Sequence, residues 1–328
     1  MILVTGATGH IGNTLIRELI ARGERVRALV VAGEDRTCLD GLQIEVITGD
    51  ILNPDSICRA MQGVRSVYHL AGIISILPGK DERIRRVNVE GTRNVVTTAL
   101  CCGVERLLYT SSIHALSRPP QGRIIDESLP FDIHNPAGEY DRTKAEASLV
   151  VLDAIANGLD AVVVCPTGVI GPYDYRISEM GALIRSWMAP GVFVLVDGMF
   201  DFVDVRDVAR GMILALERGR TGEAYILSGQ RIPLAQLKEM VQEAGGQRTP
   251  HLIVPLALAL IIADLVPIFA RLFHTRALFT RYSLETVVSN SEIDCVKARE
   301  ELGYQTRPLQ QTITDTIEWW KGRAVSAN

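Results

Sequence analysis

The first twenty-two residues constrain the fold more tightly than any other part of the chain. Ile2-Leu3-Val4 is an apolar run of strand type. Thr5-Gly6-Ala7-Thr8-Gly9-His10-Ile11-Gly12 is a glycine-spaced turn, and Asn13-Thr14-Leu15-Ile16-Arg17-Glu18-Leu19-Ile20 repeats apolar residues at helical spacing. Strand, glycine turn and helix in direct succession are the context in which such a motif becomes a dinucleotide-binding site. Gly6 is expected to take the backbone angles of the tight turn. Gly9 lets a pyrophosphate approach the main chain, and Gly12 lets the helix pack close to the strand. The helix N-terminus then offers free N–H groups and a partial positive charge to the phosphates. Thr8, His10 and Ile11 fill the turn and count with the glycines as cofactor-binding candidates. The spacing is Gly-x-x-Gly-x-x-Gly, a departure from the commoner Gly-x-Gly-x-x-Gly fingerprint.

The rest of the first half repeats the theme. Residues 1–5, 25–31, 43–48, 65–70, 105–111 and 160–165 read as strands, with helical stretches near 11–22, 54–62, 81–102 and 139–157. This alternation predicts an α/β fold, a doubly wound parallel sheet of Rossmann type. Ala161-Val162-Val163-Val164 is continuously apolar, as a strand covered on both faces should be, and Glu223–Ser228 reads as a further strand of the same sheet. Beyond Pro166 the rhythm changes. Residues 171–200 are rich in glycine, proline and aromatics, and 230–310 reads as mainly helical. The expected organisation is a dinucleotide-binding domain over 1–170, with 200–229 returning to it. A smaller, mainly helical substrate cap follows at 171–199 and 230–310, and a C-terminal helix and tail at 311–328. A chain of 328 residues is long enough for this arrangement.

Composition excludes some partners. At 47% hydrophobic, 22% charged and a net charge of −4, with no block of like charges, the chain has no general attraction for nucleic acid. Cys38, Cys58, Cys101, Cys102, Cys165 and Cys295 form no Cys-x-x-Cys pair, and their scatter suits reduced, buried thiols in a cytoplasmic protein. Cys101-Cys102 reads as two small apolar residues ending a helix ahead of a redox pair. The chain enters its first strand at once, so no cleavable leader is expected. Residues 253–273 (IVPLALALIIADLVPIFARLF) approach the length of a membrane span, but Asp264, Pro255, Pro267 and Arg271 interrupt them. A carboxylate at mid-bilayer is costly. A buried or lid helix over an apolar substrate pocket is favoured over an interfacial helix resting on a membrane surface.

The second constellation is chemical. In Tyr140-Asp141-Arg142-Thr143-Lys144 the tyrosine and lysine stand four apart, on one face of a helix with Cβ atoms roughly 5–6 Å apart. A tyrosine of pKa about 10 is a poor base at neutral pH. A neighbouring ammonium favours the phenolate, so the hydroxyl can exchange a proton with a substrate alcohol or carbonyl. Leu107-Leu108-Tyr109-Thr110-Ser111-Ser112 is an apolar strand ending in hydroxyls at the carboxyl edge of the sheet. A serine there can hydrogen-bond a developing oxyanion and orient the tyrosine.

Taken together, the turn at 5–12, Ser112, Tyr140 and Lys144 make the chain resemble the extended short-chain dehydrogenase/reductases over nearly its whole length. Further matching pieces are Gly49-Asp50-Ile51, His69-Leu70-Ala71-Gly72, Asn88–Asn94, Pro166–Pro172 and Phe202–Ala209. The resemblance implies that Tyr140 is the general acid/base and that Lys144 also hydrogen-bonds the nicotinamide ribose. It implies that Ser112, rather than Ser111, is the catalytic hydroxyl. Asp50 and Ile51 would hold the adenine, Ala71 and Gly72 line the cofactor cleft, and Pro166 and Val169 lie near the nicotinamide. Asn88 is either a support for the site or a helix-packing amide. The family often dimerises through the helices around 84–102 and 139–157. Val87, Val95, Val96 and Ala99 suit either such a homodimer seam or the covering of a sheet.

For the cofactor form, an acid at the end of the second strand would select NAD. Val26–Val31 ends without one, and Val31 stands where many members carry arginine. Arg36 is the substitute phosphate partner, with Glu34 and Asp35 arguing the other way, and the balance favours NADP over NAD. Fold alone leaves the reaction open. The favoured reading is reduction of a carbonyl, or oxidation of a secondary alcohol, on a fairly apolar small molecule, since Tyr109-Thr110-Ser111-Ser112 is similar to dihydroflavonol reductases and hydroxysteroid dehydrogenases. A nucleotide-sugar epimerase is the alternative, with Arg176, Arg185, Arg276 and Arg281 as candidate diphosphate partners. A dehydratase is disfavoured because Ile113-His114 stands where its extra acid/base pair would be; His114 is either a substrate contact or a packing histidine. A non-catalytic cofactor sensor is the third reading, and the intact Ser112, Tyr140 and Lys144 argue against it.

Overall fold

Seven parallel strands form the central sheet of the computed structural model, which describes residues 1–75, 81–261, 263 and 280–326. They are β1 (Ile2–Thr5), β2 (Val26–Val30), β3 (Glu45–Thr48), β4 (Ser66–His69), β5 (Arg106–Thr110), β6 (Ala161–Pro166) and β10 (Ala224–Leu227), in the order β10-β6-β5-β4-β1-β2-β3. Each is a run that the sequence marks as a strand. The apolar residues of β1, β5 and β6 are buried, as two-sided coverage requires. The chain moves outward in both directions from β1, so the order reverses between β1 and β4. The crevice at that reversal, beyond the carboxyl ends, is where such sheets bind ligands.

Helices α1 (His10–Ala21), α2 (Pro54–Met61), α3 (Glu82–Arg85), α4 (Gly91–Cys101), α5 (Glu139–Ala156), α6 (Glu179–Trp187), α7 (Val205–Arg218) and α8 (Leu234–Gly245) connect and cover the strands. One layer has α1 packed on α7, and the other has α2, α4 and α5 in succession. The helix expected over 81–102 is interrupted by a π-helical turn at Arg86–Glu90, a distortion that recurs at functional sites. Val95, Val96 and Ala99 are buried within the single chain and Val87 is half-buried, so the apolar stripe of α4 is accounted for by covering the sheet.

Beyond β6 the chain adds two small sheets. One joins β7 (Gly168–Ile170), β9 (Met199–Asp204) and β11 (Gln230–Pro233); the other pairs β8 (Phe193–Val196) with β12 (His251–Val254). Helix α6 packs on α8 and β7, α8 on β8 and β11, and the helix Arg281–Val288 on β9. The helix Leu309–Ser326 is anchored through ion pairs. Arg206 bridges Asp204 and Asp315 at 2.7 Å each, and Arg307 meets Asp207 at 2.7 Å. Of the apolar segment 253–273, residue 262 and residues 264–273 lie outside the described residues. That removes Asp264, Pro267 and Arg271 from the description, as well as most of the expected lid helix; Arg276 lies outside it too. Among the described residues no helix is long and apolar enough to cross a membrane.

The cysteines depart from expectation. Cys38, Cys165 and Cys295 are buried, but Cys58 and Cys101 are exposed and Cys102 is half-buried. Cys58 lies on the outward side of α2, and Cys101 and Cys102 close the C-terminal end of α4.

Candidate functional site

The glycine turn has the geometry its spacing implies. Gly6 has φ +66°, a left-handed conformation that disfavours other residues, and a Cβ there would stand 2.7 Å from the Ala71 nitrogen. A Cβ on Gly12 would overlap the Gly6 carbonyl oxygen, so the glycine keeps α1 against the turn itself. Gly9 stands at the N-cap of α1, with no side-chain cap and no acidic residue in the first turn. The N–H end of the helix is thereby left for an anion, and a dinucleotide pyrophosphate fits this cradle. Thr8 is buried, and its carbonyl lies 3.6 Å from the Cys38 sulfur. Ile11 is half-buried. His10 is not free, since its Nε2 lies 2.9 Å from the Pro172 carbonyl. Asn13 donates to the Tyr173 carbonyl at 3.1 Å, and Tyr173 has φ 69°. The segment after β7 is thus strapped to the start of α1.

At the far end, Asp50 and Ile51 form a corner held from two sides. The Ser56 hydroxyl of α2 donates to the Asp50 carbonyl at 2.7 Å, and Asn94 of α4 donates to the Ile51 carbonyl at 3.0 Å. The Ile51 side chain is buried against Gly91, where a Cβ would lie 2.5 Å from it. Its side chain is therefore committed to packing against α4. Arg36 is exposed and has no ion pair among the described residues. Arg176 reaches the same edge, pairing with Glu34 at 2.8 Å and donating to the Asp35 carbonyl at 3.0 Å. Glu34 in turn accepts from the Val31 N–H at 3.3 Å, which folds a carboxylate back onto the end of β2.

The register of the parallel strands assembles the centre. Thr5 pairs with His69 and His69 with Tyr109, so three side chains from β1, β4 and β5 form one row on one face. The Thr5 hydroxyl is 2.7 Å from His69 Nδ1, and the Thr92 hydroxyl of α4 is 3.0 Å from Nε2. Burial, and then the Lys144 charge, hold the His69 imidazole down at about 3. Lys144 of α5 closes the row, donating to the Thr110 carbonyl at 2.6 Å and to the Tyr109 hydroxyl at 3.3 Å. Burial lowers its ammonium to about 8. Tyr140 and Ser112 are buried as well. Burial pushes the Tyr140 phenol up to about 12, and the Ser112 hydroxyl beside it works against that rise. The Lys144 ammonium, turned to the Thr110 carbonyl and the Tyr109 hydroxyl, does not offset that rise. Ser111 is committed to the Ser148 hydroxyl at 2.7 Å, leaving Ser112 as the strand-end hydroxyl next to Tyr140.

Around this centre, Gly72 is exposed beside Lys144; a Cβ on it would lie 3.7 Å from Nζ and 3.2 Å from Asn88 Oδ1. Asn88, within the π-helical turn, accepts from the Ile73 N–H at 2.7 Å and donates to the Ile73 carbonyl at 3.0 Å and to Thr143 at 3.1 Å. It ties the loop carrying Ala71 and Gly72 to α5. Pro166 ends β6 and Val169 lies half-buried in β7. Beyond Tyr140, His114 stacks on Phe200 at 5.8 Å and stands edge-on to Tyr140 at 6.4 Å. Arg118 lies 2.6 Å from its Nδ1 and 2.8 Å from Asp141. Burial and the Arg118 charge bring the imidazole to about 3. A guanidinium can only donate, so Nδ1 accepts and the ring proton sits on Nε2. Sequence reading passed over Tyr109, His69 and Thr92 as partners of this centre. His69 on β4 and Tyr109 on β5 are brought side by side only by the cross-strand register, and Thr92 only by the packing of α4 against them.

Residues 2–228 match the family described as "NAD dependent epimerase/dehydratase family". The chain is 35% identical over 325 residues to a protein of Methylococcus capsulatus named "Sterol demethylase protein B", covering 98% of this chain and 99% of that one. It is 32% identical over 323 residues to the "Putative dihydroflavonol 4-reductase" of Synechocystis, covering 97% and 94%. Among solved structures it is similar to that of gox2253, with a TM-score of 0.86 and 34% identity over 98% of both chains. With the parallel sheet, the glycine cradle and a match over more than half its length, this chain belongs to the NAD dependent epimerase/dehydratase family, the extended short-chain dehydrogenase/reductases.

Proposed function

We propose that this NAD(P)-dependent enzyme reduces a carbonyl, or oxidises the corresponding secondary alcohol, on a fairly apolar small molecule. The observation that carries the reading is the buried cluster of Ser112, Tyr140 and Lys144 at the carboxyl edge of the sheet, next to the glycine cradle. When bound, the nicotinamide cofactor supplies or accepts the hydride. In the reductive direction Tyr140 gives its phenolic proton to the carbonyl oxygen. Ser112 donates a hydrogen bond to the same oxygen as negative charge grows on it. Lys144 holds positive charge beneath the site and reaches the nicotinamide ribose past Gly72. Gly6, Thr8, Gly9, His10, Ile11 and Gly12 carry the pyrophosphate, Asp50 and Ile51 the adenine, and Ala71, Gly72, Pro166 and Val169 line the cleft.

The wall beyond Tyr140 supports an apolar substrate. Phe200 and His114 stack there, with Tyr282 6.2 Å from the imidazole. His114, kept neutral with its proton on Nε2, offers a donor to a second substrate oxygen. Two relatives are named for a sterol and a dihydroflavonol, consistent with a ring-bearing substrate. NADP is preferred over NAD, with Arg36 as the 2′-phosphate partner. The epimerase reading has less support, since Arg176 and Arg281, two of its candidate diphosphate partners, pair with Glu34 and Glu285. The test is oxidation of NADPH and NADH across a panel of aldehydes, ketones and steroids, beside a thermal-shift screen of nucleotide sugars. Consumption of NADPH with ring ketones is expected. Stabilisation by nucleotide sugars without any reductase activity would replace this reading with the epimerase.

A further inference from the structure

The cysteine pair that sequence adjacency suggests is not the pair the fold makes. Cys102 caps the C-terminus of α4, and its Sγ lies 3.8 Å from Sγ of Cys58 in α2. The two residues are 44 apart in the chain. Cys58 is exposed and Cys102 half-buried, whereas Cys38, Cys165 and Cys295 are buried. A disulfide needs a sulfur separation of about 2 Å, so an approach of about 2 Å brings the two sulfurs to bonding distance.

We propose that Cys58 and Cys102 form a modification site, a thiol pair that low-molecular-weight disulfides such as oxidised glutathione convert into a crosslink between α2 and α4. The exposed Cys58, as thiolate, attacks one sulfur of the glutathione disulfide and expels one glutathione thiolate. The Cys102 thiolate then attacks the Cys58 sulfur of the mixed disulfide and expels the second. Two protein thiols are oxidised to one disulfide, one glutathione disulfide is reduced to two glutathiones, and the two thiol protons end on the released glutathione. The crosslink joins the two elements that hold the Asp50–Ile51 corner. Cys58 lies two residues beyond Ser56, which bonds Asp50, and α4 carries Asn94, which bonds Ile51. Closing a loop of this length constrains the unfolded chain, so the oxidised protein melts several degrees higher than the reduced one.

The test is incubation of the whole protein with oxidised glutathione, read by intact mass, by peptide mapping without reductant, and by thermal melting. The expected result is loss of two hydrogens with no retained glutathione, a Cys58–Cys102 linked peptide, and the raised melting temperature. Cys58→Ser and Cys102→Ser abolish the crosslink, and Cys102→Ser retains a glutathione adduct on Cys58. Cys101→Ser behaves as the parent. A Cys101–Cys102 disulfide, a lasting glutathione adduct on Cys58 of the parent protein, or unchanged mass would each overturn the proposal.

Discussion

Replacing Lys144 with methionine should stabilise the fold while removing activity. Lys144 is 6% exposed, and burial brings its ammonium from 10.5 to about 8. That shift, at about 1.4 kcal/mol per unit, corresponds to roughly 3 kcal/mol for keeping the charge inside the folded chain. Methionine has similar volume and no charge, so it removes this cost. It also takes the donor from the Thr110 carbonyl at 2.6 Å and the Tyr109 hydroxyl at 3.3 Å; the hydroxyl keeps Thr92 as a partner, and one unpaired buried acceptor costs about 1–3 kcal/mol. The net expectation at pH 7 is a gain of about 0–2 kcal/mol. The sign of its pH dependence follows from the lowered pKa. Below about 8 the lysine is charged in both states and carries the whole penalty. Between about 8 and 10.5 the folded protein gives up its proton first, so the parent gains stability with rising pH and the gap narrows. Urea unfolding of both proteins from pH 6 to 10 measures this directly, and turnover and ribose-dependent cofactor affinity should both fall in the variant. A variant less stable than the parent by the same amount at every pH would show that Lys144 is a brace for β5, and would refute the reasoning.

Tyr140→Phe should keep cofactor binding and lose turnover by roughly 10²–10⁴-fold, the usual contribution of a placed acid/base; substantial residual activity measured at saturating cofactor would remove its assigned role. Arg36→Ala should weaken NADP several-fold and leave NAD unchanged in a fluorescence titration, and a parent protein that prefers NAD would overturn the NADP assignment. Gly12→Ala places a Cβ into the Gly6 carbonyl, so cofactor affinity should drop at least tenfold and the melting temperature should fall, by the mechanism of overpacking; a variant with parental affinity would mean the turn adjusts freely. His69 and His114, both lowered to about 3 mainly by burial, should show no ring titration by NMR between pH 8 and 5. The unfolded chain takes up their protons below about 6.5, so stability should fall as pH drops from there towards 3, and a ring titrating near 6.5 would contradict the buried, neutral assignment.

The central strands β1, β5 and β6 were legible because strands buried on both faces are largely apolar, while the helices between the strands repeat every three to four residues. The glycine turn was legible for a different reason. Gly6 and Gly12 meet steric demands that other residues fail, and those demands leave a spacing in the sequence. The small strands between residues 168 and 254 were less visible. They are three to six residues long, and residues such as Gln230, Arg231 and Pro233 carry no strand alternation that distinguishes them from loop. The Cys58–Cys102 approach was invisible because helix packing sets it, over a separation that no local pattern encodes.

The electrostatics of the centre show where sequence spacing stops being informative. Four residues along a helix fix the directions of two Cβ atoms, but a lysine side chain is long enough to choose its partner from a neighbouring element. Lys144 turns to Thr110 and Tyr109 on β5, and the Tyr140 phenol is governed by burial first, then by Ser112 and Asp141. The row Thr5, His69 and Tyr109 that receives the lysine is drawn from three strands and assembled by register. The ammonium nevertheless has an open side. Gly72 leaves space 3.7 Å from Nζ that any other residue would fill, on the edge of the cleft that leads to the glycine cradle. A sugar hydroxyl entering there would give Lys144 a partner between itself and Tyr140, so activation of the tyrosine would depend on a filled cleft. That dependence would keep a proton donor of high pKa silent until both halves of the reaction are in place.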